Sequence, residues 1–346
     1  MPSLIPLKQR ALALIRGART YKEVSDRKWT LCPGETYFSP PAIYLDGQLE
    51  KVTHIAGTTT YADEMQRVRG GVHQHAPTEA YQLLHAYVLD GRVYKGPAKY
   101  TLTDAEEQPI APGLTSRIPE AALACTLMGY RYFGHWMIDD LSLTLAARDV
   151  AEPVTTNQQL SPQQIEYCGV LGVHATPVDR VRCDSLVIID DRGLNRYRRE
   201  RIGHLRSRLR SLAPAQAKPG VMLLRGTSGV KRILVNEEAV ASYFSDLGFA
   251  IVDPLRLSAA EVARQCAGAQ VVVGVTGSQL MPGFLSAADG GLMLLIQPPF
   301  YFENCYKDYG DSLGIRHAFV VGDQTGDGAF EVDLDDVRRT LDRVLP

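Results

Sequence analysis

The sequence predicts an α/β protein of two lobes, the second built on a parallel sheet. Three observations carry this reading. At 346 residues and 38.1 kDa the chain exceeds what one core of ordinary size holds. From residue 221 onward, apolar runs expected as strands (221–224, 249–252, 271–275, 292–296, 318–321) alternate with amphipathic stretches expected as helices (237–247, 258–269, 301–313, 334–345). Strands separated by helices pair in parallel, because the helix is the crossover. The punctuation agrees as well. Gly248 closes one helix, and Ser258 with Glu261 has the capping-box spacing. Asp333 and Asp335 open the last helix, where acids satisfy orphan N–H groups rather than bind metal.

The first half is less regular. Asp90-Gly91 between two apolar runs predicts a β-hairpin over 86–94. A buried strand is expected over 121–127, a helix after residue 135, and a further αβ alternation over 153–190 that ends in a strand at 185–189. The expected division is an N-terminal α/β lobe over 1–190, an arginine-rich helix and linker over 191–220, and a C-terminal lobe over 221–346. The linker carries Arg192, Arg196, Arg198, Arg199, Arg201, Arg206, Arg208 and Arg210, then Pro214 and Lys218-Pro219-Gly220. It reads as a solvated helix face, with acidic lipid headgroups or a pyrophosphate-linked acceptor as the alternative guests.

Composition narrows the function classes. A net charge of −2 with 45% hydrophobic residues describes a globular protein and argues against nucleic acid as partner. The six cysteines are scattered without a Cys-x-x-Cys pair, so neither a zinc ribbon nor a disulfide framework is expected and a reducing cytoplasm fits. The stretch 1–19 has no apolar run long enough for a signal or a membrane span. Its Leu4, Leu7, Leu12, Leu14 and Ile15, interleaved with Lys8, Arg10, Arg16 and Arg19, read either as a packed terminal helix or as a basic amphipathic helix on a membrane surface. No Gly-x-Gly-x-x-Gly and no P-loop pattern is present, which demotes hydride transfer and ATP hydrolysis. His73, His75 and His85 lack a nearby carboxylate or thiolate partner in sequence and read as structural, so no metal site is expected.

Two regions point to chemistry. In 130–141, His135 and Asp139 are four apart and share a helix face. Near a helix N-terminus the backbone dipole disfavours the imidazolium, leaving a neutral ring able to take a proton. Asp139 is placed to orient that ring or to bind a substrate hydroxyl, Trp136 to offer a flat surface to a sugar, and Asp140 to contact an acceptor. An amphipathic helix with a loop-capping His and a solvated acid pair is the plainer reading. In the second half, Arg225 ends a strand and opens the loop Gly226-Thr227-Ser228-Gly229-Val230-Lys231-Arg232, while Thr276-Gly277-Ser278 makes a strand-to-helix turn. Two arginines and backbone N–H groups at such a turn suit phosphate.

The order Tyr132-x-x-His135-Trp136-x-x-Asp139-x-Leu141, Arg225, Arg232-x-x-x-Asn236-Glu237, Leu247-Gly248-Phe249, Leu257-Ser258 and the stretch 269–280 resembles glycosyltransferase family 61, over roughly 86–322. The resemblance implies a GT-B fold, with two Rossmann-like lobes whose parallel sheets face a cleft, the N-terminal one decorated by the hairpin. It implies inverting transfer from a nucleotide sugar to a bacterial surface or capsular glycan, free or lipid-linked, with no cofactor or essential metal, in the cytoplasm and at the inner membrane surface. On that carry-over His135 and Asp139 are the base or base-orienting pair, with Trp136 and Asp140 on the acceptor side. Arg225, Arg232 and Asn236 hold the donor together with Thr276, Gly277, Ser278 and Gln279. Two departures stand out. Thr276-Gly277-Ser278 replaces the family's usual His-Gly-Ala, and Leu295-Ile296-Gln297-Pro298 lacks its frequent acid, leaving Gln297 and Glu303 as expected substitutes. They keep two rivals open: a degenerate sugar-nucleotide or glycan-binding scaffold, and a GT-B-type nucleotide-sugar epimerase.

Overall fold

The computed structural model describes residues 3–212, 218–227 and 229–344. Ser228, the linker stretch 213–217 with Pro214, and Leu345 at the expected end of the last helix lie outside the described residues. The chain packs as two units: Met1–Glu35 with His75–Ile202, and Thr36–Gln74 with Gly203–Pro346. The stretch 36–74, read from sequence as part of the first lobe, therefore belongs to the second unit.

The first unit is built on an eight-stranded sheet that is mixed, not parallel as expected. Asp90 and Gly91 adopt left-handed φ values of 47° and 71° and send Thr78–Leu89 back into Arg92–Lys95 as the expected hairpin. Thr78–Leu89 also runs antiparallel to Val181–Asp190, from Val88 opposite Val181 to Glu79 opposite Asp190. Val181–Asp190 in turn pairs in parallel with Ser116–Leu123, followed by Pro153–Thr155 and Thr176–Pro177. One face buries Leu83, Val88, Leu123, Leu186 and Ile188. The other receives Leu143, Ala146 and Ala147 of the helix Leu141–Arg148 on Ala80, Ala122 and Val187. The small residues on both sides let helix and sheet approach closely.

The second unit follows the sequence closely. Its five-stranded sheet is all parallel, ordered Ala250–Val252, Lys218–Leu223, Ala269–Val275, Leu292–Gln297, Arg316–Val321. Every residue of Leu292–Gln297 is buried, as an inner strand covered on both faces requires. Ser258 and Glu261 form the capping box of Ala259–Cys266, and Asp333 caps Leu334–Asp342 by accepting from the Asp335 amide. Taken in sequence, the strand order is 2-1-3-4-5, so the winding reverses between Lys218–Leu223 and Ala269–Val275. Ligands of doubly wound sheets bind outside the strand carboxyl ends at that point.

The early segment 36–74 is tied in by buried polar contacts. The Asn304 amide N–H and side chain donate to Glu64 (2.8 and 3.1 Å), Arg67 Nε donates to Asp308 (2.8 Å), and Lys307 donates to Ser39 (2.6 Å). The helix Arg196–Arg210 corrects the solvated-face reading. Arg198, Arg201 and Arg206 are buried, Arg201 forks onto Asp191 at 2.8 and 2.9 Å, and Arg206 and Arg210 meet Asp289 at 3.1 and 2.8 Å. Guanidinium forks satisfy carboxylates bidentately, so these arginines stay buried where lysines would rarely do so.

Candidate active site

In the first unit, Thr126 caps the short helix Leu127–Arg131, accepting from Gly129 N–H at 2.8 Å. Tyr132, extended at φ −132°, breaks the run, and a new helix starts with Phe133–His135. It widens into a π-helical turn at Trp136–Asp140 before continuing as Leu141–Arg148. Such turns are rare and recur at functional sites. Here the turn carries the side chains singled out above. His135 Nδ1 lies 2.6 Å from Asp139 Oδ2, and Arg198 donates to Asp139 Oδ1. Arg198 Nη1 also donates to the Asp191 carbonyl at 2.5 Å. The carboxylate can only accept, so the neutral ring carries its proton on Nδ1 and its basic lone pair on Nε2. The His135 side chain is 25% exposed and Asp139 15%, so the ring is the more open end of a relay anchored in buried Arg198.

Two expected acceptor-side residues have other tasks. Trp136 is buried, 5.7 Å centroid to centroid from Phe133, and its ring packs the helix instead of offering a sugar an open face. Asp140 is buried as well and accepts from Thr126 N–H (3.0 Å) and Oγ1 (2.8 Å). A Cβ on Gly129 would stand 2.1 Å from its oxygen, so the loop closes tightly over it. Burial pushes the Asp140 carboxyl well above the usual range. Its role is to fix the turn that presents His135.

In the second unit, the loops after Lys218–Leu223 and Ala269–Val275 meet at the switch point. Arg225 is buried there, and its Nη2 donates to the Val230 carbonyl (2.6 Å). Its Nη1 donates to Gln279 Oε1 (3.0 Å) and approaches the Thr276 carbonyl (3.4 Å). Gln279 is itself held by a bond from Nε2 to the Val275 carbonyl (2.6 Å). A Cβ at residue 277 would lie 2.0 Å from Arg225 Nη1, so only glycine leaves room for the guanidinium. The Gly277 carbonyl accepts from Tyr306 Oη at 2.9 Å. Glu237, at the start of Glu237–Asp246, accepts from the Arg225 and Gly226 amides (2.8 and 3.0 Å), fixing the loop's entry.

Arg232 is buried alongside, its guanidinium 4.2 Å above the centre of the Tyr301 ring. Its Nε and Nη1 are buried and make no hydrogen bond to any described residue. Burial lowers the affinity of both guanidinium groups for their protons, Arg225 to about 10 with the Arg232 charge as second cause. Glu303 and Tyr301 offset part of this at Arg232. Both arginines stay charged at neutral pH, crowded and poorly solvated, which favours an incoming anion.

The remaining donor-side expectations divide. Thr276 is buried with its carbonyl toward Arg225, and Ser278 begins a short 3-10 turn, Ser278–Leu280. Asn236 spends its amide on the Val332 backbone (2.8 and 3.2 Å), so it ties the loop instead of facing a ligand. Gln297 is fully buried and bonded to the Glu303 carbonyl (2.6 Å), which removes it as a stand-in for the absent acid. Glu303 is half-buried and accepts from Thr58 (2.9 Å). Sequence reasoning missed Arg198 and Asp191 as the anchor of His135. The only signal was the three-residue spacing of Arg198 and Arg201, which places both on one helix face. Among the described residues no group of three or more His, Cys, Asp or Glu side chains is arranged to hold a metal ion.

Residues 133–293 match a family model described as Glycosyltransferase 61. No curated protein matches the chain. The matched span starts at the helix that carries His135 and includes Asp139, Arg198, Arg225, Arg232 and the turn at Thr276. This match, over just under half of the chain, supports glycosyltransferase family 61 and with it an enzyme of the transferase class, acting between a sugar donor and a glycan acceptor.

Proposed function

We propose that the protein is an inverting glycosyltransferase whose donor is a nucleotide sugar bound through its phosphates at Arg225 and Arg232. The observation that carries this is Arg232: a buried cation with two N–H groups left without a partner among the described residues, at the switch point of a doubly wound sheet. Such a group is costly unless an anion completes it, and a diphosphate supplies both charge and acceptors. Arg225, already clamped by Gln279 and the Val230 carbonyl, adds a fixed positive charge.

In this reading the protein is a transferase of GT-B type. His135 Nε2 takes the proton of an acceptor hydroxyl as that oxygen attacks the anomeric carbon. The carbon–oxygen bond to the nucleoside diphosphate breaks on the opposite face, inverting the centre, and the arginines receive the departing negative charge. Asp139, braced by Arg198, balances the imidazolium that results. No metal is required in this scheme. The acceptor would be a growing bacterial surface or capsular glycan, assembled in the cytoplasm.

A thermal-shift panel of nucleoside diphosphates and nucleotide sugars tests the reading. At about 100 times its dissociation constant a ligand stabilises the native state by roughly 2.7 kcal/mol, a visible shift in a chain of this size. The shift should appear in the wild type and vanish in Arg232→Ala. If no nucleotide shifts the wild type at millimolar concentration, the scaffold reading, favoured by Thr276 where the family usually has His, takes its place. Product analysis separates transfer, which extends the acceptor, from epimerisation, which yields a new free nucleotide sugar.

A further inference from the structure

We infer that the outer face of the N-terminal helix Ile5–Arg16 docks on an anionic lipid surface. The helix has two apolar faces. The inner one is used within its own unit: Pro6 and Gln9 are buried, Gln9 Nε2 donates to the Pro97 carbonyl (2.8 Å), and Ile5 packs on Leu89, Tyr94 and Ala111. Ser3 and Ala111 exchange backbone hydrogen bonds of 2.8 and 3.1 Å just before it, so the helix is fixed at both ends of its first turn. The outer one faces solvent. Leu7, Ala11, Leu14 and Ile15 recur at helical spacing on one arc, with Leu14 87% and Ile15 79% exposed. Leu4 and Ile110 are exposed too, and the antiparallel pairing of Ser3 with Ala111 sets them beside each other, extending the patch. A solvent-facing helix normally keeps leucine and isoleucine off this arc, and a contiguous apolar patch marks an interaction surface.

Charge selects the occupant. Lys8 flanks the arc on one side and Arg10, engaged by Glu107 at 2.7 Å, on the other; Arg16, at the helix end on the side of Gln9, and Arg19 beyond it are exposed as well. The first acidic residue of the chain is Glu23, so nothing within the segment neutralises these cations. An apolar arc edged by cations on a helix lying flat against its domain matches an interface of acyl chains below anionic headgroups. This goes beyond the transferase reading and does not depend on it.

Vesicle flotation tests the inference on the full-length protein, using equal parts phosphatidylcholine and phosphatidylglycerol against phosphatidylcholine alone. The protein should float with the anionic vesicles, less so at high salt, and not with the neutral ones. Each cation near such a surface is worth roughly fivefold in partition, so Lys8→Glu/Arg16→Glu/Arg19→Glu should lose at least a hundredfold, on the order of the three terms combined. Leu14→Asp/Ile15→Asp should also abolish flotation, and because both side chains are exposed its melting temperature should match the wild type. Absence of flotation, or equal flotation with neutral vesicles, overturns the inference. So does a concentration-dependent dimer that Leu14→Asp/Ile15→Asp dissolves, which would assign the face to a second copy of the chain.

Discussion

The chemistry-bearing clusters of the two units handle buried charge in opposite ways. In the first, Asp139 is bonded to His135 and Arg198, Arg198 reaches the Asp191 backbone, and Asp191 is forked by Arg201, so charges alternate along a braced row. In the second, two cations are brought together and Arg232 keeps two buried N–H groups with no described partner. A row of paired charges holds one side chain at a fixed angle, which suits a proton acceptor that must be in place before the substrate arrives. A surplus of one sign stores an unmet interaction that only a ligand of the opposite sign completes. The first cluster therefore contributes stability and the second a capacity for binding.

Substitutions in the two clusters should act differently. His135→Ala should lower turnover by about 10²- to 10⁴-fold, the usual worth of a general base, while the thermal shift given by a nucleoside diphosphate stays intact. If turnover with a proven acceptor survives, the braced row is not the catalytic one. Arg198→Met should destabilise the protein by about 3–5 kcal/mol in urea unfolding, because it removes the buried cation that pairs with the Asp139 carboxylate. Arg232→Met should do the reverse, leaving the urea midpoint unchanged or raised while nucleoside diphosphate affinity falls at least tenfold, measured by calorimetry. Equal destabilisation by both substitutions would erase the distinction between the clusters. Gly277→Ala puts a methyl 2.0 Å from Arg225 Nη1 and should weaken the same ligand to a similar degree by displacing the guanidinium, whereas exposed Arg208→Ala should leave binding and stability alone.

The smallest effect concerns pH. Burial raises the Asp140 pKa, so the fold favours its protonated form. The stability this group contributes is complete below its unfolded value of about 4 and lost as pH rises through the elevated folded value. Asp140→Asn keeps an acceptor oxygen for Thr126 and removes the titration. Its urea midpoint should equal or exceed that of the wild type at neutral pH, and the advantage should shrink toward pH 4. A difference that stays constant across that range would mean that Asp140 does not titrate there.

Local signals were legible and long-range ones were not. The alternation from residue 221, the Ser258–Glu261 box and the Asp90–Gly91 turn are written within a few residues of each other, and the structure places elements there. The tie between 36–74 and the second unit rests on Glu64 with Asn304, Arg67 with Asp308 and Ser39 with Lys307, partners more than two hundred residues apart that no periodicity announces. The same blindness explains the arginine-rich helix, whose partners Asp139, Asp191 and Asp289 are scattered along the chain. Within the cluster at the switch point the residue types were readable at Arg225 and Arg232. What Asn236 and Gln297 do was not, because an amide serves backbone and ligand with the same atoms, and only the fold decides which.

The π-helical turn at Trp136–Asp140 acts as an angular spacer. The turn takes up one extra residue, so the residues after it sit about 100° around the helix axis from where a regular helix would put them. Leu143, Ala146 and Ala147 can therefore meet the sheet at the azimuth that packing demands. His135 and Asp139 are set at another, chosen independently of it. A regular helix over the same residues would couple the two choices, and with the hydrophobic face kept in its seat the imidazole would swing away.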